Sequence, residues 1–298
     1  MKISVSMLSS YLYCPRKLFI ERVLGIRPEI PKEALIRGSI RHRVYEKINL
    51  CQEELVKSIS KKDFEFILGA YKLKFIKILK QTIVSSKEEL ASIEVPLTEF
   101  FKEIKPYIEN EAEYRAKKVF EFIKETGLTG DGLWEELAPK IKPEYRVSSG
   151  ILGLRGIIDE LEVYPEFCVP VELKTGKMPS EGVWPGHKVQ VGAYALLLEE
   201  KFGAKVEKAV VRYLDSNASR EVAINPFLRQ EVKEIIEKVQ NMLDSAEIPD
   251  FVGNENKCGA CDLKEVCFDK NTINEKLKSE ISNSQNGILR KTKDLNRT

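Results

Sequence analysis

The stretch "IIDELEVYPEFCVPVELKTG", residues 157–176, constrains this chain most, because it puts ionisable side chains on two segments that otherwise ask for burial. Both segments read as strands, and as neighbours. In the first, Ile157, Asp159, Leu161 and Val163 share one face, so Asp159 projects from an apolar surface. A carboxylate there is costly unless a cation meets it. In the second, Glu172 and Lys174 share a face while Val171 and Leu173 turn the other way, into a core. An Asp closing one strand and Glu-x-Lys on the next can converge on one point. Two carboxylates then form an oxygen site for Mg²⁺ or Mn²⁺, and the lysine orients or helps deprotonate an attacking water, which suits phosphodiester hydrolysis. The same residues also read as an exposed strand with a surface ion pair. Glu-x-Lys recurs at Glu103, Glu199, Glu231 and Glu255, but in helical or loop contexts with no strand-borne Asp just upstream.

The 298 residues suffice for one large core, or one core with a substantial insertion. With 43% apolar and 32% charged residues the composition is that of a soluble globular protein, and no apolar run is long enough to span a bilayer. "MKISVSMLSS" lacks the charged start and apolar run of a secretory signal, so a cytoplasmic location is expected. A net charge of +2, from 48 basic and 46 acidic residues, does not announce nucleic-acid binding, and any such contact must use a local patch.

Along the chain, residues 1–50 read as short helices, with Ser6 placed to cap the first and Pro15 to open the second. Residues 51–142 carry apolar residues at spacings of three and four and read as a helical insertion without catalytic features. Residues 143–246 follow as strand, strand, helix, strand and helix, the pattern of an α/β core. Residues 247–270 hold a cysteine run, and 271–298 form a polar tail expected to be loose.

Three further features bear on chemistry. Gln190 and Tyr194 are four apart on the apolar helix "HKVQVGAYALLL", and so share a face; they also fit a core helix with two locally satisfied polar groups. His42 lies in "IRGSIRHRVYEKI", with Gly38 one turn before it and Glu46 one turn after, and the glycine suggests close packing against the backbone. A surface histidine between two arginines is the alternative. His187, just ahead of Gln190, reads as a cap or a DNA contact rather than a metal ligand. Cys258, Cys261 and Cys267 have the spacing C-x2-C-x5-C, while zinc and iron-sulfur clusters both normally take four ligands. The fourth must come from Cys14, Cys51 or Cys168, and Cys168 reads as a core residue of an apolar strand.

A strand-borne Asp, Glu-x-Lys and then Gln-x-x-x-Tyr on the following helix resemble the RecB-type branch of the PD-(D/E)XK nucleases. That resemblance implies an α/β fold with a mixed central sheet flanked by helices. It makes Asp159 and Glu172 metal ligands and Lys174 catalytic, and has Gln190 and Tyr194 arrange the site and the DNA. "RGSIRH" looks like the Arg-Gly-x-x-x-His element of the branch, which makes His42 a further ligand and, with two carboxylates, leans toward Mn²⁺. Glu144 is placed as a further acidic position. Iron-sulfur members join one early cysteine to three clustered late, which assigns Cys14, Cys258, Cys261 and Cys267 to a 4Fe-4S cluster capping the core, with zinc as the competitor. Together these features resemble the Cas-four family of CRISPR-associated exonucleases. The implied activity is metal-dependent degradation of single-stranded DNA ends, 5′ to 3′, in prespacer processing beside the Cas-one and Cas-two integration complex. Residues 51–142 exceed what a compact member needs, and no G-x-x-x-x-G-K-S/T motor element is present. A RecB-like repair or replication nuclease, a non-cleaving DNA-binding module and an electron-transfer protein are the alternatives. In "YLYCPRKLF", aromatic and basic residues could stack bases and hold phosphates near the cluster, although Tyr11, Tyr13 and Phe19 could equally be core.

Overall fold

The computed structural model describes residues 3–28, 33–245 and 247–279. In chain order the elements are β1 (Ile3–Ser4), α1 (Val5–Tyr13), α2 (Pro15–Arg22), α3 (Glu33–Leu50), α4 (Gln52–Lys57), α5 (Phe64–Ser85), α6 (Lys87–Ala91), α7 (Leu97–Thr126) and α8 (Gly130–Glu136). They continue with β2 (Lys140–Ser149), β3 (Leu154–Val163), β4 (Cys168–Lys174), α9 (Pro185–Phe202), β5 (Lys208–Tyr213), β6 (Ala218–Ala223), α10 (Pro226–Asp244), α11 (Glu255–Gly259) and α12 (Lys264–Phe268). The architecture is the mixed α/β sheet flanked by helices that the sequence implies.

Local chemistry sets several boundaries. Cys14 is extended and Pro15 takes the first position of α2, while the Cys14 sulfur accepts from the Lys17 N–H at 3.3 Å. Asn225 caps α10 through the Leu228 N–H, again with a proline at the first position. Ser6 lies inside α1, whose cap position is Ser4. The segment expected to give one strand before residue 163 is a hairpin, β2 and β3, turned through Gly150 and Gly153. Strands β1 and β6 were not anticipated, because two residues and an Ala-Ser-Arg start carry little periodic signal. Residues 270–279 are helical where a loose tail was expected, and 280–298 lie outside the described residues.

The sheet runs β1-β3-β4-β5-β6, with β2 on the other edge of β3. Strand β2 is antiparallel to β3 along its length, β4 is antiparallel to β3 from Glu160 to Val163, β5 is parallel to β4, and β6 is antiparallel to β5. Strand β1 meets β3 only at Leu154 and Arg155. Between β1 and β4, residues 156–159 therefore have no strand partner on that edge, and the sheet opens there.

Each face carries its own core. Helices α1, α9 and α10 cover one, burying Val5, Leu8, Val191, Leu198 and Val232 against Leu154, Leu161 and Val211. The other face belongs to α3 and residues 51–142, whose Tyr71, Phe75, Phe100 and Ile108 pack with Val169, Val171 and Leu173 of β4. Truncating one of these buried aromatic rings to alanine costs about 3–5 kcal/mol.

Candidate active site

Asp159 sits where β3 loses its neighbour, and its Oδ2 accepts from the Leu173 N–H of β4 at 2.7 Å. The carboxylate thus bridges the two strands where they part. Simple alternation does not survive this point. Ile158 and Leu161 both enter the core under α1 and α9, while Glu160 between them bonds to Asn49 and Arg212 on the other side. The shared face expected of Ile157, Asp159, Leu161 and Val163 is accordingly broken: Ile157 is 38% exposed and Leu161 1%. Glu144 lies between Pro143, which pairs with Glu160, and Tyr145, which pairs with Ile158, and has φ +48°, a conformation rare for a residue with a side chain. Burial, with Asp159 and Glu46 beside it, pushes the Glu144 carboxyl above its usual range.

Glu172 is buried, and its Oε1 is held from two sides: Lys174 Nζ lies 2.8 Å away and Gln190 Nε2 donates at 2.6 Å. The same Gln190 accepts from Lys174 Nζ through Oε1 at 3.0 Å and donates to the Tyr194 hydroxyl at 3.1 Å, which donates in turn to the Ile157 carbonyl at 2.7 Å. One amide therefore orients carboxylate, ammonium and phenol together. The spacing of four on α9 makes this possible, because both side chains leave the helix on the side that meets β3 and β4. Glu172 Oε2 is left without any hydrogen-bond partner. Burial, and then the nearby Asp159 charge, push the Glu172 carboxyl up to about 7.

His42 Nδ1 stands 3.6 Å from Asp159 Oδ1. Burial disfavours its protonated form, but Asp159 and Glu172 outweigh that, so its pKa lies above the usual value. Helix α3 can come this close because residue 38 is glycine: a Cβ there would lie 3.1 Å from Thr175 Oγ1, just past Lys174. Arg41, next to His42, pairs with Asp215, and the other Asp215 oxygen accepts from the Gly176 N–H at 2.5 Å. Asp215 thus ties the helix bearing His42 to the end of β4. No sequence signal marked it, because its partners come from two distant segments.

The structure therefore brings His42, Asp159, Glu172, Lys174, Gln190 and Tyr194 together, with Glu144 beside them. His187 neither caps α9, whose cap position is Trp184, nor points free: its Nδ1 lies 3.1 Å from the Tyr213 hydroxyl, and burial, with Lys174, pushes its pKa down to about 4. Among the described residues no three His, Cys, Asp or Glu side chains are placed to hold a metal ion as they stand. The donor chemistry nevertheless fits a hard divalent cation. A buried carboxylate oxygen lacks a partner and a second carboxylate raises its proton affinity, which a cation would relieve, and the imidazole facing that second group can ligate the cation once it has given up its proton.

A second constellation lies at the chain's two ends. Cys14, Cys258, Cys261 and Cys267 line one pocket with Tyr13, Arg16, Lys17, Ile20, Phe251 and Leu263. All four are free and half-buried, and Cys51 and Cys168 stand apart from them. Arg16 donates through Nε to Cys267 Sγ at 3.3 Å and through Nη1 to the Pro249 carbonyl at 2.9 Å, and it stacks on Phe251. Lys17 pairs with Asp262 at 2.5 Å. Both basic residues proposed to hold phosphates are thus engaged with the C-terminal segment; Phe19 is core, while Tyr13 is 42% exposed. Four sulfurs on one pocket, with a cation beside one of them, fit a thiolate-ligated group.

A fold with acids and a lysine at a sheet opening, backed by a Gln-Tyr helix, defines a metal-dependent phosphodiesterase class. Residues 2–268 match the PD-(D/E)XK nuclease superfamily, and the chain belongs to it. Among curated relatives it is 34% identical over 130 residues to the CRISPR-associated exonuclease Cas4/endonuclease Cas1 fusion of Myxococcus xanthus, covering 42% of this chain and 23% of that one. It is 32% identical over 117 residues to CRISPR-associated exonuclease Cas4 of Francisella tularensis subsp. novicida (39% and 57%). With CRISPR-associated exonuclease Cas4 of Aeropyrum pernix it shares 31% over 134 residues (43% and 66%). The match thus spans about a quarter of the fusion protein and over half of the two others. The crystal structure of SSO0001 overlays with a TM-score of 0.31 at 16% identity, over 69% of this chain and 96% of that one. No described helix is long and apolar enough to cross a membrane.

Proposed function

We propose that this protein is a divalent-metal-dependent deoxyribonuclease of the Cas4 kind, acting in the cytoplasm on single-stranded DNA ends, 5′ to 3′, during CRISPR adaptation. The observation that carries the reading is the unpartnered Glu172 oxygen, buried beside Asp159 and His42 with Lys174 and Gln190 fixed behind it. A divalent ion held by Asp159, Glu172 and His42 would polarise the scissile phosphate and lower the pKa of a bound water. Lys174 Nζ, anchored by Glu172 and Gln190, offers its remaining proton to the water or to a phosphate oxygen. Gln190 keeps Glu172 Oε2 turned to the opening, and Tyr194 locks Gln190 onto the β3 backbone. The 5′ to 3′ polarity rests on the family resemblance. The fusion of Cas4 with endonuclease Cas1 in the Myxococcus relative supports a Cas1-containing integration complex as partner.

The four-cysteine pocket is proposed to hold a 4Fe-4S cluster that staples residues near Cys14 to those around Cys258–Cys267, closing a very long loop. With Mn²⁺, wild type should shorten end-labelled single strands and Lys174→Ala should not; equal cutting by both sinks the catalytic assignment. Aerobically purified protein should be brown, with iron and sulfide present, and Cys14→Ser should lose the colour. A colourless wild type containing zinc overturns the cluster assignment.

A further inference from the structure

Beyond Asp159, the exposed face of the β2–β3 hairpin continues away from the carboxylates. On β3, Arg155, Ile157 and Asp159 alternate along it; on β2, Ser148 stands opposite Arg155 and Arg146 opposite Ile157. Arg146, Ser148, Arg155 and Ile157 are all exposed, whereas Val147, Leu154 and Ile158 between them are buried, so the face is fixed by the packing beneath it. Ser4 of β1 pairs with Arg155 from the other edge. The four exposed residues and Ser4 line one groove of about 820 Å³ together with Asp159, Glu172 and Gln190.

Arg22 and Arg27 also lack a partner among the described residues, but they lie in a separate pocket near Lys17; in the groove along β2–β3 the unpaired arginines are Arg146 and Arg155. Neither side chain forms a salt bridge or hydrogen bond among the described residues, and Arg146 lies close enough to Glu144 to act on its charge. An exposed guanidinium without a partner has no ion pair to break before it engages a ligand, and its planar fork suits a phosphate. Four residues along β3 place Arg155 about 13 Å from Asp159. That span exceeds one nucleotide, so these groups meet backbone phosphates away from the one being cut. Ile157 lies between, an apolar step for a sugar or base.

We infer that Arg155 and Arg146, with the hydroxyls of Ser4 and Ser148, form a phosphate track that holds the single strand in line beside the metal-binding carboxylates. The inference rests on the nuclease reading and adds to it the residues that grip the strand outside the cleavage point. The track reads charge and not sequence, because its donors point at the backbone.

The test is binding of a fluorescein-labelled oligothymidylate to the full chain in EDTA, followed by anisotropy across a salt series. Wild type should bind with an affinity that falls steeply with salt. Each of Arg146→Gln and Arg155→Gln should reduce the slope of log K against log salt by about 0.7, and the double variant by about twice that. Arg155→Lys should keep the wild-type slope, since the slope counts charges. Lys238→Gln, on the exposed side of α10, should leave it unchanged. If the double variant binds with the wild-type slope while wild type binds tightly, the track is wrong and the nuclease reading stands. If wild type shows no salt-dependent binding at all, the track and the reading beneath it both fall.

Discussion

Two carboxylates on neighbouring strands, Glu160 of β3 and Glu172 of β4, are both buried, at 0% and 4% exposure, yet they live in opposite chemical worlds. Glu160 faces residues 51–142. Arg212 reaches its Oε2 at 3.0 Å, Asn49 donates to its Oε1 at 2.8 Å, and Arg115 stands 3.5 Å off. Arg212 and Arg115 also grip Glu111, at 2.5 and 2.6 Å. Two anions meet two cations there. Glu172 instead shares its surroundings with Asp159, has one lysine that it splits with Gln190, and keeps an oxygen unpartnered. Charge balance marks a network that holds the fold together, and charge excess marks a place built to receive a cation.

Substitutions should separate the two networks cleanly. The largest effect is expected from Glu172→Gln, which keeps the shape and removes the charge: cleavage of single strands with Mn²⁺ should fall at least about a thousandfold, roughly 4 kcal/mol of transition-state stabilisation. Its urea midpoint without metal should stay level or rise, because a strained carboxylate has gone. A clear loss of stability would place Glu172 in the structural class with Glu160.

Arg212→Ala should do the reverse. Removing one partner from a buried, balanced network leaves Glu111 and Glu160 with Arg115 as their one remaining cation and should cost about 3–5 kcal/mol in urea unfolding. A cost below 1 kcal/mol would mean that water reaches these groups and that the insertion is not clamped to the sheet through them.

The smallest and most diagnostic difference is in pH. Burial raises the proton affinity of Glu111, but Arg212 and Arg115 overcome it and hold the carboxyl at about 2. A depressed folded pKa gives stability that is complete above the unfolded value of about 4.5 and is lost as pH falls from there toward 2. Glu172 has the opposite sign. With its folded pKa at about 7, the metal-free protein loses stability as pH rises from about 4.5 through 7. Divalent ions must displace that proton and the one on His42, whose affinity for a proton is also raised, so Mn²⁺ affinity by calorimetry should weaken by about ten- to a hundredfold per pH unit as pH falls below 7. A flat profile from pH 5 to 8 would show that neither Glu172 nor His42 is a ligand.

These contrasts also separate what could be read early from what could not. The stretch 157–176 announced Asp159, Glu172 and Lys174 because acids interrupting apolar strands are costly, and a spacing of two or four tells which side chains share a face. Glu160 stood in the same stretch and carried no such message. Its partners Glu111, Arg115 and Arg212 are ordinary charged residues in the sequence, and only folding shows that they meet. Asp215 and Arg16 were illegible for the same reason.

What the sequence determined by itself was therefore periodic and local: strands with misplaced charges, an α9 face with Gln190 and Tyr194, a glycine that lets α3 approach, and cysteines at metal-ligand spacing. The tertiary structure alone decided which acid is neutralised and which is left hungry, because a buried charge takes its properties from whatever distant segment is packed against it. It also slipped the alternation of β3 at Asp159, where a strand loses its neighbour and a side chain replaces the missing backbone partner.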